Sequence, residues 1–329
     1  MTVNVRQSAR NLLRQKLGIE VRRVVPADLR NGACYAAPIQ RQWDRNRPRA
    51  HRYQLAICAI FKNEAPYLRE WIEFHRLVGV EKFFLYNNNS DDEYLPVLAP
   101  YIESGLVQIR HWRYPPPCQL AAYHDCIAYF GAQSRWFAFI DIDEYLFPTN
   151  DTALLRILAD YESHPALAVH WLTFGTSRHV IKPAGLTIEN FTMCAPEGSK
   201  TVKLILDPYR VEYFSTPHSA VFQDEQTAVN EHRQPVRTHI SYPPSIETIR
   251  INHYWSRSVE EFIHKVQRGN AVALQEHHQL KVLIENDYTS NLRHDLTAQR
   301  FLPALRANLA RNDNLLSASD HENAILKPK

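Results

Sequence analysis

Residues 135–148, RWFAFIDIDEYLFP, set Asp141, Asp143 and Glu144 directly behind a run of mostly apolar residues. Alternate residues of a strand share a side, so Asp141 and Asp143 are expected to face together with Ile142 turned away. Two carboxylates about 6–7 Å apart along a strand repel unless a cation stands near them. Hard oxygen ligands suit Mg²⁺ or Mn²⁺, which take one or two carboxylates and complete their shell with water and phosphate oxygens. The chemistry this predicts is a divalent ion holding a diphosphate. A DxD pair alone arises by chance about once in a chain of this length, so its weight comes from the strand it follows.

That strand is the fourth in a regular series. Tyr53–Phe61 (YQLAICAIF) is a nearly continuous apolar run, as a strand covered on both faces requires. Residues 64–78 then read as a helix, with Pro66 in its first turn, Gly79 just past its end and a stripe of Leu68, Trp71, Ile72, Phe74, Leu77 and Val78. A strand over 80–86, a short helix over 94–104, a strand over 106–112, a helix over 119–131 and a strand over 136–140 follow. Such alternation predicts an α/β fold with a parallel, doubly wound sheet, whose ligands gather beyond the carboxyl ends of the strands. Three of those ends are polar here: Lys62-Asn63-Glu64, Asn87 to Asp92, and Asp141 to Glu144.

Composition narrows the classes. At 329 residues and 45% hydrophobic, the chain can bury a substantial core. None of its apolar stretches approaches the roughly eighteen residues a spanning helix needs, and the first thirty residues lack a secretory pattern. Five cysteines without a CxxC pair read as reduced thiols, which places the expected location in the cytoplasm. The nine glycines are too widely spaced for GxGxxG, a Walker loop or GxSxG. A nucleotide must therefore be held by other means. Residues 1–52 carry twelve Lys/Arg against three Asp/Glu, and the remainder is acidic. Residues 5–24 have helical apolar spacing beside Arg6, Arg10 and Arg14, which gives two readings: a peripheral contact with an anionic membrane surface, or a helix solvated or packed on the domain. The basic segment lacks interleaved aromatics, which argues against nucleic acid.

The stretch AICAIFKNEAPYLREWIEFHRLVGVEKFFLYNNNSDD, followed by WFAFIDIDEYLFP, resembles the nucleotide-sugar glycosyltransferases of the GT-A fold, in the family 2-like and family 92-like group. WLTFGTS (171–177), IENFT (188–192), KTVKLILDP (200–208) and NHYWSRSVEEFIHKVQRG (252–269) extend the likeness. It covers residues 53–270 and implies a GT-A domain there, which leaves the basic segment 1–52 as an N-terminal extension and 271–329, read as helices, as a C-terminal one. It also implies transfer of a sugar, with inversion, from a nucleotide-diphosphate donor, UDP-sugar favoured, to a glycan or glycolipid hydroxyl.

Carried over by position, the resemblance gives donor-binding roles to Asn63, Glu64, Asn87, Asp91 and Asp141, and to Asp125 or its neighbour His124; Lys265 and Arg268, three apart on an expected helix, either neutralise the leaving diphosphate or form an ordinary exposed basic face. Asn87 stands where the family 2 pattern begins with Asp. The Mn²⁺ or Mg²⁺ ligands implied are Asp141, Asp143 and a downstream third, for which His253 is chosen ahead of His218; Glu144 is expected to brace the loop. Trp171, Phe174 and Ser177 fall on the acceptor side, although Trp171 equally suits core packing. His179 and Glu189 are the candidate bases. Two rival readings are a haloacid-dehalogenase-type phosphatase with a nucleophilic first Asp and a non-catalytic, membrane-associated sugar-binding module. The first is at odds with Tyr145 two residues beyond the second Asp.

Overall fold

The run from Tyr53 to Phe61 forms strand β1, buried from Leu55 onward on both faces. β1 pairs in parallel with β2 (Lys82–Asn87) on one side and β4 (Ser134–Phe139) on the other, and β2 pairs in parallel with β3 (Val107–His111). Helices α1 (Ala65–Leu77), α2 (Tyr94–Glu103) and α3 (Gln119–Phe130) make the crossovers. Leu55, Ile57 and Ala59 enter the apolar layer shared with Trp71 of α1 and Leu98 of α2. Their alternates Ala56, Cys58 and Ile60 enter the layer shared with Ala122 and Cys126 of α3. Burying a side chain such as Leu68 or Phe74 is worth about 1.5–3 kcal/mol, so the apolar stripe of α1 fixes which face it turns to the sheet. The computed structural model describes residues 38–47, 49–150, 153–268 and 285–311. The amphipathic segment expected over 5–24 and much of the C-terminal extension lie outside them.

Past β4 the sheet changes direction. The strand Val202–Leu206 runs antiparallel between β4 and β6 (Ala166–Thr173). Its start therefore arrives at the end of β4. The strand Ile249–His253 pairs antiparallel with β5 (Glu144–Pro148) and parallel with β6, so His253 lies opposite both Glu144 and Thr173. The whole is a mixed α/β fold with a mainly parallel central sheet and helices on both faces. Among the described residues no helix is long and apolar enough to cross a membrane.

One expectation needs correction here. β4 ends at Phe139, and the Glu144 amide donates to the Asp141 carbonyl at 3.1 Å, closing a turn over the acids. Strand alternation therefore does not govern Asp141 and Asp143. Each meets different partners.

Candidate active site

Asp141 projects from the turn with a third of its side chain in water. Its Oδ2 lies 2.7 Å from the Lys203 ammonium, and its Oδ1 accepts from Gln119 Nε2 at 2.9 Å. Lys203 is delivered by the antiparallel strand and is buried, with Glu144 Oε2 at 3.7 Å. Burial opposes its charge, but Asp141 and then Glu144 outweigh burial and hold its pKa above the usual lysine value. Glu144 is fully buried; its Oε2 accepts the Asp141 amide at 2.9 Å, and Oε1 has no partner among the described residues. Burial raises its carboxyl well above the usual range despite Lys203. It braces the turn from within. Trp71 of α1 adds a second brace, donating Nε1–H to the Glu144 carbonyl at 2.8 Å.

Asp143 is nearly buried and faces the other way, to Lys265 (Nζ to Oδ2, 2.5 Å) and His253 (Nε2 to Oδ2, 3.7 Å). Burial works against its charge, yet Lys265 and then His253 hold its carboxyl well below the ordinary carboxylate value. Among the described residues no three His, Cys, Asp or Glu stand close enough to hold an ion together. A pair does fit. Two ligands each about 2.1 Å from one ion stand up to about 4.2 Å apart, which accommodates the separation of Asp143 and His253. The Lys265 ammonium competes for that position, and Asp141, held by Lys203 and Gln119, is not part of the pair.

The neighbouring loop ends are knitted together. Asn63 has a left-handed backbone (φ 54°); its amide donates to Ser90 Oγ and its Oδ1 accepts the Asp91 amide, both at 2.9 Å. Asp91 itself is exposed. Asn87 is buried, with Oδ1 accepting the Ser90 amide at 2.9 Å. Glu64 forms a buried ion pair with Arg257 at 3.0 Å, and the Arg257 guanidinium lies 3.3 Å from the centre of the Tyr67 ring. A cavity of about 440 Å³ opens beside these residues, lined among others by Asn63, Tyr67, Lys182, Trp255, Arg257 and Lys265. Lys265 thus joins it to the acid turn. Arg268 ends the same helix, Val259–Arg268.

Other expected site residues have different surroundings. Asp125 is buried, accepting from the Tyr86 hydroxyl at 2.7 Å and pairing with Arg110 at 3.1 Å, while His124 Nε2 accepts the Phe214 amide at 3.0 Å. Gln119, one turn or more earlier on α3, is the residue that reaches Asp141. Phe174 is a core residue packed on Tyr254 at 4.8 Å, which corrects its expected place against an acceptor. Ser177 Oγ accepts the Thr192 and Met193 amides, each at 2.9 Å, and so ties two loops together. His179 Nε2 pairs with the Asn190 carbonyl at 3.3 Å, and Glu189 forms an ion pair with Arg306. Neither meets the acid turn in these contacts. Trp171 does border the site: its ring centre is 4.3 Å from that of His253 and 5.2 Å from that of His218.

Lys203, Gln119 and Arg257 escaped the sequence reading. Lys203 carried a signal, being a charged residue inside an apolar strand run, where an unpaired charge is costly.

A profile of glycosyltransferase family 92 matches residues 51–279, more than half of the chain. A family 92 protein of Oryza sativa subsp. japonica is 33% identical over 174 residues, covering 50% of this chain and 29% of the relative. A family 92 protein of Arabidopsis thaliana is 32% identical over 148 residues, covering 41% and 24%. A galactan beta-1,4-galactosyltransferase of the same plant is 23% identical over 139 residues, covering 39% and 27%. These alignments span less than a third of each relative's length. Among solved structures, S. aureus TarS 1–349 in complex with UDP is similar with a TM-score of 0.36 and 13% identity over 70% of each chain. HddC from Yersinia pseudotuberculosis gives 0.33 and 11%, covering 61% of this chain and 89% of that one. The profile match sets the phosphatase reading aside. With that match over 51–279, the chain belongs to glycosyltransferase family 92.

Proposed function

We propose that this family 92 protein is a glycosyltransferase that moves a hexosyl group from a UDP-sugar to a hydroxyl of a glycan or glycolipid, with inversion at the anomeric carbon and with Mn²⁺ or Mg²⁺ bound at Asp143 and His253. The observation that carries this reading is the acid turn at the carboxyl edge of the parallel strands, flanked by Lys203 and Lys265. Ligands bind at that edge in open α/β sheets, and a diphosphate needs cations there. When bound, the ion would neutralise charge building on the departing diphosphate. The chain's own part is to hold Asp143 charged, to keep the turn rigid through Lys203, Glu144 and Trp71, and to bring Lys265 beside the phosphates.

The 440 Å³ cavity next to Asn63 and Lys265 offers room for part of the donor. With the Asn87 and Asn63 side chains both engaged, recognition of the base falls to the loop backbone and to the exposed Asp91. A peripheral membrane contact through residues 5–24 and a cytoplasmic location belong to the same proposal. Incubation with a panel of nucleotide sugars, with and without Mn²⁺, tests it. Metal-dependent release of UDP, increased by a glycan acceptor, is the expected result. Release of phosphate from monoesters without any nucleotide release would overturn it.

A further inference from the structure

A deprotonating group for the acceptor hydroxyl has to be basic, reachable and next to the acid turn. Glu144 is buried, Asp141 is taken up by Lys203 and Gln119, and Asp143 by Lys265. Glu189 and His179 are engaged elsewhere. His218 is reachable and beside the acid turn, and burial and then Lys203 lower its pKa to about 4, so its ring is neutral at pH 7 with a lone pair to offer, as a weak base. It occupies the tip of the hairpin formed by Val211–Thr216 and Ser219–Phe222, its amide donating to Thr216 Oγ1 at 3.1 Å. Half-buried there, it packs edge-on to Trp171, whose other neighbour is His253 beside Asp143.

The tautomer follows from one contact. His218 Nδ1 stands 3.0 Å from the Val202 carbonyl oxygen, which can only accept, so Nδ1 carries the hydrogen. In the neutral ring Nε2 then holds the free lone pair, and it has no hydrogen-bond partner among the described residues. Val202 immediately precedes Lys203, so one strand start fixes both the imidazole and the acid turn. Trp171 adds a further clue: its Nε1–H is buried and without a partner among the described residues. A buried donor of that kind is left waiting for a hydroxyl or a water.

We propose that His218 is the general base of the transfer, acting from Nε2 on the acceptor hydroxyl. This rests on the nucleotide-sugar reading above. The hydroxyl oxygen forms its bond to the anomeric carbon as its proton passes to Nε2. The bond from that carbon to the diphosphate oxygen breaks, and its electron pair leaves with the diphosphate. His218 becomes imidazolium, with Nδ1–H still on Val202, and Trp171 Nε1–H lies beside the acceptor sugar.

The test is His218→Asn, whose amide nitrogen can keep the donation to Val202 while the basic atom is gone. With donor and acceptor saturating, kcat for transfer falls about 10²–10⁴-fold, as loss of a general base does, while the Kd for UDP with Mn²⁺ stays within threefold. Imidazole added to His218→Ala restores part of the rate. His218→Gln, with the same two readouts, covers the case in which the Asn variant misfolds. A kcat within threefold of wild type overturns the assignment, as does a loss matched by equally weakened binding of UDP or Mn²⁺. If the wild-type chain itself binds no nucleotide, the donor reading fails; if it turns over and His218→Asn does too, only the base assignment fails.

Discussion

Lys203→Met puts a number on how the acid turn is held. The wild-type ammonium is buried, 2.7 Å from Asp141 and 3.7 Å from Glu144, whose side chain is fully buried. Removing one partner of a buried ion pair costs about 3–5 kcal/mol, because a buried charge is left alone. Two features push the figure to the low end. Asp141 keeps Gln119 and a third of its surface in water, and Glu144, whose carboxyl burial already pushes upward, can take a proton. The expected loss is about 3 kcal/mol in urea unfolding at pH 7. In the double variant Lys203→Met with Glu144→Gln, the second substitution removes the stranded charge, and about 1–2 kcal/mol returns. Loss of less than about 1 kcal/mol in the single variant would refute the claim that Lys203 holds the turn.

Three further outcomes follow from particular contacts. Glu70 of α1 accepts the buried Thr187 and Ile188 amides at 2.7 and 3.1 Å; Glu70→Ala leaves both without a partner at about 1–3 kcal/mol each, and hydrogen exchange should quicken over 187–192, whereas unchanged protection would contradict the tether. His75 Nδ1 donates to the Trp71 carbonyl at 2.8 Å and its Nε2 accepts the Leu146 amide at 3.1 Å, and burial lowers its pKa to about 3; burial likewise lowers His124 to about 4. Both values lie below the unfolded one of about 6.5, so their contribution is intact above pH 6.5 and is lost as pH falls, approaching about 1.4 kcal/mol per pH unit for each group until its folded value is reached. His75→Gln should flatten that fall between pH 6 and about 4 in urea titrations, and an identical pH profile in variant and wild type would contradict it. Arg257→Met removes the partner of buried Glu64 and should cost about 3–5 kcal/mol in the same assay; a loss under about 1 kcal/mol would show that the pair is not buried in solution.

The parallel half of the fold was legible because its signals are local. β1 is one apolar run between polar ends, and α1 declares itself by a stripe that starts at a proline and stops at Gly79, whose φ of 102° suits glycine. The acid turn was legible in position but not in geometry. Whether a strand continues through Asp141 depends on the Glu144 amide and on Lys203, which arrives 62 residues later on an antiparallel strand. Sequence alone shows Lys203 as a charge in an apolar strand without naming its partner. Phe174 shows the reverse difficulty: an aromatic near Trp171 looks the same whether it meets a sugar or, as here, Tyr254 in the core. Only tertiary packing separates the two.

Calorimetric titration of UDP into the folded chain, with and without Mn²⁺, bears most directly on the central claim, with Asp143→Ala as the control. Saturable binding that strengthens with Mn²⁺ in the wild-type chain, and loses that strengthening in a folded Asp143→Ala variant, is the predicted result. No uptake of UDP under either condition, or the same Mn²⁺ response in Asp143→Ala, would contradict it.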